Sequence, residues 1–132
     1  MRTGIARRSG TALRRETALD VRLVPDVLWE LTRPLIPAAE LRRQGGGRAR
    51  VADRAVLVAV VFVLTSGCSW RRLPGVFGVA VPTAYRRFVE WVGLDLFRRL
   101  HDQVAAHGCE SSLVDWAAMI RDAAVARAGA TR

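Results

Sequence analysis

The stretch Gly67-Cys68-Ser69-Trp70-Arg71-Arg72-Leu73-Pro74-Gly75-Val76-Phe77-Gly78, continued by Pro82-Thr83-Ala84-Tyr85-Arg86-Arg87-Phe88-Val89-Glu90-Trp91, decides the fold. It reads as a turn feeding a short basic helix. From Pro82 onward, Tyr85, Phe88 and Val92 recur at i, i+3 and i+7, with Ala84 and Trp91 beside them, so one face is apolar. Thr83, Arg86, Arg87 and Glu90 are left for the other face. A helix clamped by aromatics within and offering guanidinium groups without can enter a DNA major groove. An ordinary amphipathic helix with a solvated Arg pair fits the same residues, because helix-turn-helix patterns are not specific on their own.

Working back along the chain, Ala55 to Leu64 is an unbroken run of ten apolar residues. It is too short to span a bilayer, which needs about 20. Its Val content also suits a strand, yet Asp53 at its start as a cap and Gly67 past its end predict a buried helix to about Thr65. Trp70 to Leu73 should form a short turn stopped by Pro74 and Gly75, with Trp70 as a core anchor. Earlier still, Leu28, Trp29, Leu31 and Leu35 predict a short docking helix, with Pro25 in its first turn and Pro34 or Pro37 at its end. Between these helices lies a flexible basic loop, Gly45-Gly46-Gly47 flanked by Arg42-Arg43 and by Arg48 and Arg50. Such a loop can track a phosphate backbone or simply face water. Beyond the basic helix, Leu96, Phe97, Leu100 and Val104 predict a further amphipathic helix from Asp95 to Ala106, ending at Gly108.

Composition narrows the function. The 132 residues carry a net charge of +9, and all 21 basic residues are Arg. A pI near 11.5 favours a polyanionic partner, nucleic acid above all. Hydrophobic residues at 51% and charged ones at 25% describe a globular chain long enough for one core. The opening stretch has no continuous apolar segment of the export type, so the expected compartment is the cytoplasm and no membrane partner is expected. Cys68, Cys109, His101 and His107 match no common zinc-finger spacing, and the two cysteines read as plain core or half-buried thiols.

The residues quoted above resemble one family. Leu28-Trp29 with Pro34 and Pro37, Gly47-Arg48, Thr65-Ser66-Gly67-Cys68-Ser69-Trp70-Arg71 with Leu73-Pro74, Phe77-Gly78, and Thr83-Ala84-Tyr85-Arg86-Arg87-Phe88 with Trp91 are similar to the N-terminal DNA-binding domain of insertion-sequence transposases of the DDE class. The likeness spans residues 24 to 128. It implies a helical domain that binds terminal inverted repeats, followed by a ribonuclease-H-like catalytic core. In that pattern Asp115-Trp116 precede the first catalytic carboxylate, which falls on Asp122, and Arg127 matches an Arg that follows it. The complete enzyme implies Mg²⁺, since two metal ions held by three carboxylates activate the attacking oxygen and stabilise the departing one. Ala123 follows Asp122 where the family carries a small hydroxyl residue, and Val81-Pro82 replaces the Ser or Trp usual before Thr83.

The expected architecture is therefore all-α: a small helical bundle with a helix-turn-helix, plus a C-terminal stub of one ribonuclease-H-like strand. Residues 1–22 form a basic arm, 23–108 the DNA-binding domain, and 109–132 the start of a truncated catalytic core. Thr83, Arg86, Arg87, Arg71, Arg72, Arg48 and Arg50 are the expected DNA contacts. Asp122 would ligate metal only if another chain completed the core, so no cofactor and no cleavage are expected of this chain alone. Its expected partners are DNA and either a catalytic half of the transposase or a second copy. A stand-alone regulator repressing its own element, or a relic, is compatible with the same residues.

Overall fold

In the computed structural model, residues 18–37 and 51–130 are described. They form six α-helices: α1 (Ala18–Leu23), α2 (Asp26–Thr32), α3 (Asp53–Ser66), α4 (Val81–Gly93), α5 (Leu96–Ala106) and α6 (Ser111–Ala130). Short 3₁₀ turns at Arg33–Leu35, Trp70–Arg72 and Gly75–Phe77 complete them. The all-α expectation holds, and among the described residues there is no strand.

The Val-rich run becomes the central helix. Val56 to Val61, Val63 and Leu64 of α3 are all buried, so α3 is covered on nearly every side. That is why its sequence has no amphipathic period: a helix surrounded by neighbours needs no polar face. At about 1.5–3 kcal/mol per buried Val, Leu or Phe side chain, this helix carries a large share of the core. It ends as expected at Gly67, whose left-handed backbone (φ 78°) lets its N–H donate to the Val63 carbonyl at 3.0 Å. Its start differs from expectation. Ala52 is the capping residue and Asp53 is the first helical residue, its carboxylate pairing with Arg87.

Around α3 pack α1, α4 and α6, with α5 laid against α2, α4 and α6. Val24 and Leu28 seat the N-terminal elements, and Thr32 is buried because its hydroxyl donates to the Leu28 carbonyl at 2.7 Å. Pro25 stands just before α2 instead of inside its first turn. The last residues assigned to the basic arm belong to α1, where Leu23 joins the core. Leu96, Phe97, Leu100 and Val104 of α5 face inward as their spacing predicts.

The C-terminal strand stub is not formed: residues 111–130 are a 20-residue helix. A lone strand leaves its backbone N–H and C=O groups unpaired, whereas a helix satisfies its own. The local sequence favours the same outcome, since Ala is the strongest helix former and α6 holds Ala117, Ala118, Ala123, Ala124, Ala126, Ala128 and Ala130. Leu113, Ala117, Ile120, Ala124 and Ala128 then line one face, with Ala117, Ile120 and Ala124 buried in the common core. Ile120 is fully buried, and Trp116 is half-buried with its indole N–H donating to the Leu23 carbonyl at 2.9 Å. Met119 does remain exposed.

No helix among the described residues is long and apolar enough to cross a membrane.

Candidate nucleic-acid interface

The segment between α3 and α4, residues 67–80, is longer than the three or four residues of a simple helix-turn-helix. It is organised by one aromatic cluster. The Trp70 ring lies 5.1 Å from that of Phe88 and 5.7 Å, edge-on, from that of Tyr85. Phe88 in turn reaches Phe97 at 6.0 Å, and Phe77 packs on Phe62 of α3 at 5.0 Å. Trp70 thus fastens the Trp70–Arg72 turn onto the N-terminal half of α4. Leu73, Phe77 and Val79 bury beneath it, and the left-handed Gly78 (φ 69°) closes the second turn.

This anchoring leaves three guanidinium groups on two adjoining elements. Arg71 and Arg72 on the turn and Arg86 on α4 are exposed, and none has an acidic partner among the described residues. Thr83 is half-buried one turn before Arg86. Tyr85 and Val89 stand on the outer side of α4, Tyr85 37% exposed, so the apolar face is narrower than the spacing suggests.

Arg87 points the other way. It is 7% exposed, donates to an Asp53 carboxylate oxygen at 2.8 Å and to the Val51 carbonyl at 3.0 Å, and ties α4 to the start of α3. Ala84, Arg87, Phe88 and Trp91 share the inward side of α4, and a guanidinium there is spent within the fold. The adjacent Arg pair read from the sequence therefore divides into one outward and one inward residue. Arg48 and Arg50 lie outside the described residues.

Elsewhere on the surface several arginines are paired with acids. Arg98 bonds Asp95 at 2.7 Å and Asp102 at 3.1 Å, and the Asp95 hydrogen bond raises its pKa above the usual value. Arg33 pairs with Glu30, and Arg54 with Asp26 while lying over the Trp29 ring. Arg71, Arg72 and Arg86 differ from these pairs in lacking an acidic partner among the described residues, as do Arg22 and Arg99, but only the first three gather on adjoining elements.

Asp122 sits on the exposed side of α6, 71% exposed, accepting a hydrogen bond from its neighbour Arg121 at 2.9 Å. Among the described residues no group of three or more His, Cys, Asp or Glu is arranged to hold a metal ion. A carboxylate alone beside a guanidinium lacks the oxygen donors Mg²⁺ requires, so no chemical step is derived through it. Cys68 and Cys109 are separated by the length of α6: Cys109 precedes its first residue, while the Cys68 carbonyl accepts a bond from Arg127 near its end. At 1.5 Å per residue that is about 24 Å, far beyond disulfide or shared-metal reach.

One contributor escaped sequence reasoning. Arg127, matched by resemblance to a residue of the catalytic core, donates to the Val63 and Cys68 carbonyls at 3.2 and 2.7 Å and lies over the Trp70 ring at 5.7 Å. Its spacing from Ile120 and Ala124 on a helix would have placed it on the inward side, had α6 been read as a helix.

Fold and surface together define a small all-α domain that presents exposed arginines from a turn and a neighbouring helix. Residues 24–101 match the family described as "Putative transposase of IS4/5 family (DUF4096)", and the chain belongs to that family. It is 33% identical over 108 residues to "Insertion element IS402 uncharacterized 16.2 kDa protein" of Burkholderia cepacia, across 80% of this chain and 74% of that relative. No solved structure matches.

Proposed function

We propose that this chain is the DNA-binding part of an insertion-sequence transposase, recognising the terminal inverted repeats of its element in the cytoplasm. The observation that carries the reading is the aromatic anchoring of the Trp70–Arg72 turn on α4, which leaves exposed Arg71, Arg72 and Arg86 on adjoining elements, without an acidic partner among the described residues. Guanidinium groups suit bidentate contact with phosphates and with guanine edges. On this reading α4 enters the major groove, Arg86 and Thr83 face base edges, and Arg71 and Arg72 hold the flanking backbone. The unit is a helix-turn-helix with an elongated, aromatic-stapled connection. Arg87 acts within the fold and not on DNA.

Cutting and joining of DNA belong to a catalytic half, supplied by another chain or by frameshifting. Asp122 would be the first of its three carboxylates, and Mg²⁺ would be bound by the completed set. Asp122 lies on the exposed side of α6, beside Arg121.

Fluorescence anisotropy on duplexes from the DNA flanking the gene, against scrambled duplexes and across a salt series, tests the reading. A +9 protein binds any duplex at low salt, so the difference at physiological salt decides. Preference of about tenfold or more for the flanking repeats supports end recognition, while equal binding of both rejects it.

A further inference from the structure

The strongest unassigned feature of the molecule is the contact between the end of α6 and the turn that bears Arg71 and Arg72. Resting on the DNA-binding reading above, we propose that Arg127 is a positioning residue for that turn, so that the C-terminal helix sets the affinity of a DNA surface it does not itself form.

Three interactions converge on one guanidinium. Arg127 donates to the Val63 carbonyl, which also accepts the Gly67 N–H and belongs to the last turn of α3. It donates to the Cys68 carbonyl at 2.7 Å, immediately ahead of the turn. It also lies over the Trp70 ring, the anchor of the turn on α4. A cation at a helix C-terminus is favoured by the exposed carbonyls there; both bonds leave one nitrogen, Nη2, while the flat, weakly hydrated guanidinium lies over the indole, a placement that suits it better than a compact, strongly hydrated ammonium.

Within itself the turn holds two backbone hydrogen bonds, Arg72 N–H to the Ser69 carbonyl at 3.0 Å and Leu73 N–H to the Trp70 carbonyl at 3.1 Å, and buried Leu73 seats its end. Ser69 adds no side-chain cap, and Gly67 gives the backbone ahead of the turn the freedom of a residue without Cβ. The Trp70 ring supplies the hold on α4, and Arg127 supplies the hold on the backbone between α3 and Trp70. Freed of Arg127, the Ser66–Ser69 backbone can rotate about Gly67, and Arg71 and Arg72 lose their register against Arg86.

The test is a cycle of variants of the full chain on the flanking-repeat duplex: R127A, R71A/R72A, the triple variant and R127K, each with a thermal melt. R127A should weaken binding about tenfold and flatten the log–log salt dependence by about 1 to 2 units, as if phosphate contacts were lost. In the R71A/R72A background the same change should cost almost nothing further, because coupled residues are non-additive. R127K, which keeps the charge but not the planar group over Trp70, should bind nearly as weakly as R127A. An R127A loss that persists in full in the R71A/R72A background, or no loss at all, overturns the inference while leaving the DNA surface intact. If R71A/R72A binds like the parent, the DNA-binding surface itself is wrong, and the inference falls with it.

Discussion

The Arg87 guanidinium and the Asp53 carboxylate meet at 2.8 Å where α4 crosses the start of α3, with the two side chains 8% and 23% exposed. Two charges so placed are costly to separate. Removing one partner of a buried pair leaves the other uncompensated, at about 3–5 kcal/mol when both are dry. Asp53 retains some water, so R87A should cost about 2–4 kcal/mol of stability. DNA affinity per folded molecule should stay unchanged. Chemical denaturation paired with anisotropy checks both halves; a stable R87A variant that has lost DNA binding would place Arg87 on the DNA instead.

Arg86 predicts the opposite pattern. It is exposed and has no acidic partner among the described residues, so R86A should leave stability within about 0.5 kcal/mol of the parent. If the side chain reads a base, the variant loses about 1–3 kcal/mol on the native site and relaxes preference at one position only. Anisotropy against duplexes changed one base pair at a time makes the measurement. A uniform loss over all sequences reassigns Arg86 to a phosphate.

The two thiols lie at opposite ends of α6 and are both half-buried and free. Non-reducing mass spectrometry should find no intramolecular disulfide, and a thiol reagent should titrate two groups in the folded protein. C68S and C109S should each retain the parent's melting behaviour under reducing conditions. An internal disulfide found without unfolding would contradict the placement of α6.

How far the residues foretold this can be read from α3, α4 and α6. The end of α3 was legible because Gly67 marks a left-handed stop whatever packs around it. The faces of α4 were only partly legible: Arg87 sits one helical turn from Ala84 and Trp91, so periodicity already put it inward, but a charge there was read as solvent-facing because its partner lies 34 residues away in Asp53. The exposed trio of Arg71, Arg72 and Arg86 follows from the Trp70, Tyr85 and Phe88 cluster, whose members were all visible as aromatics but whose mutual packing is tertiary. The error at α6 has a different origin. The resemblance implied a strand, whereas the alanines and the Leu113, Ala117, Ile120, Ala124 spacing specify a helix by themselves, and the local signal prevailed in this chain.

That last point can be settled with two adjacent residues of α6. Ile120 is fully buried and Met119 about half exposed, as helix geometry dictates for neighbours about 100° apart. On a dangling strand neither side chain would have a core to enter, and trimming either would cost little. In the helix, I120A removes a core side chain from between α6 and its neighbours and should cost about 2–4 kcal/mol. M119A should change stability by no more than about 0.5 kcal/mol. The comparison needs only urea melts followed by circular dichroism, and the helical signal of each variant reports whether α6 is retained. Equal, small effects at both positions would return residues 111–130 to an uncovered stub, and with it would remove the clamp that Arg127 places on the end of α3.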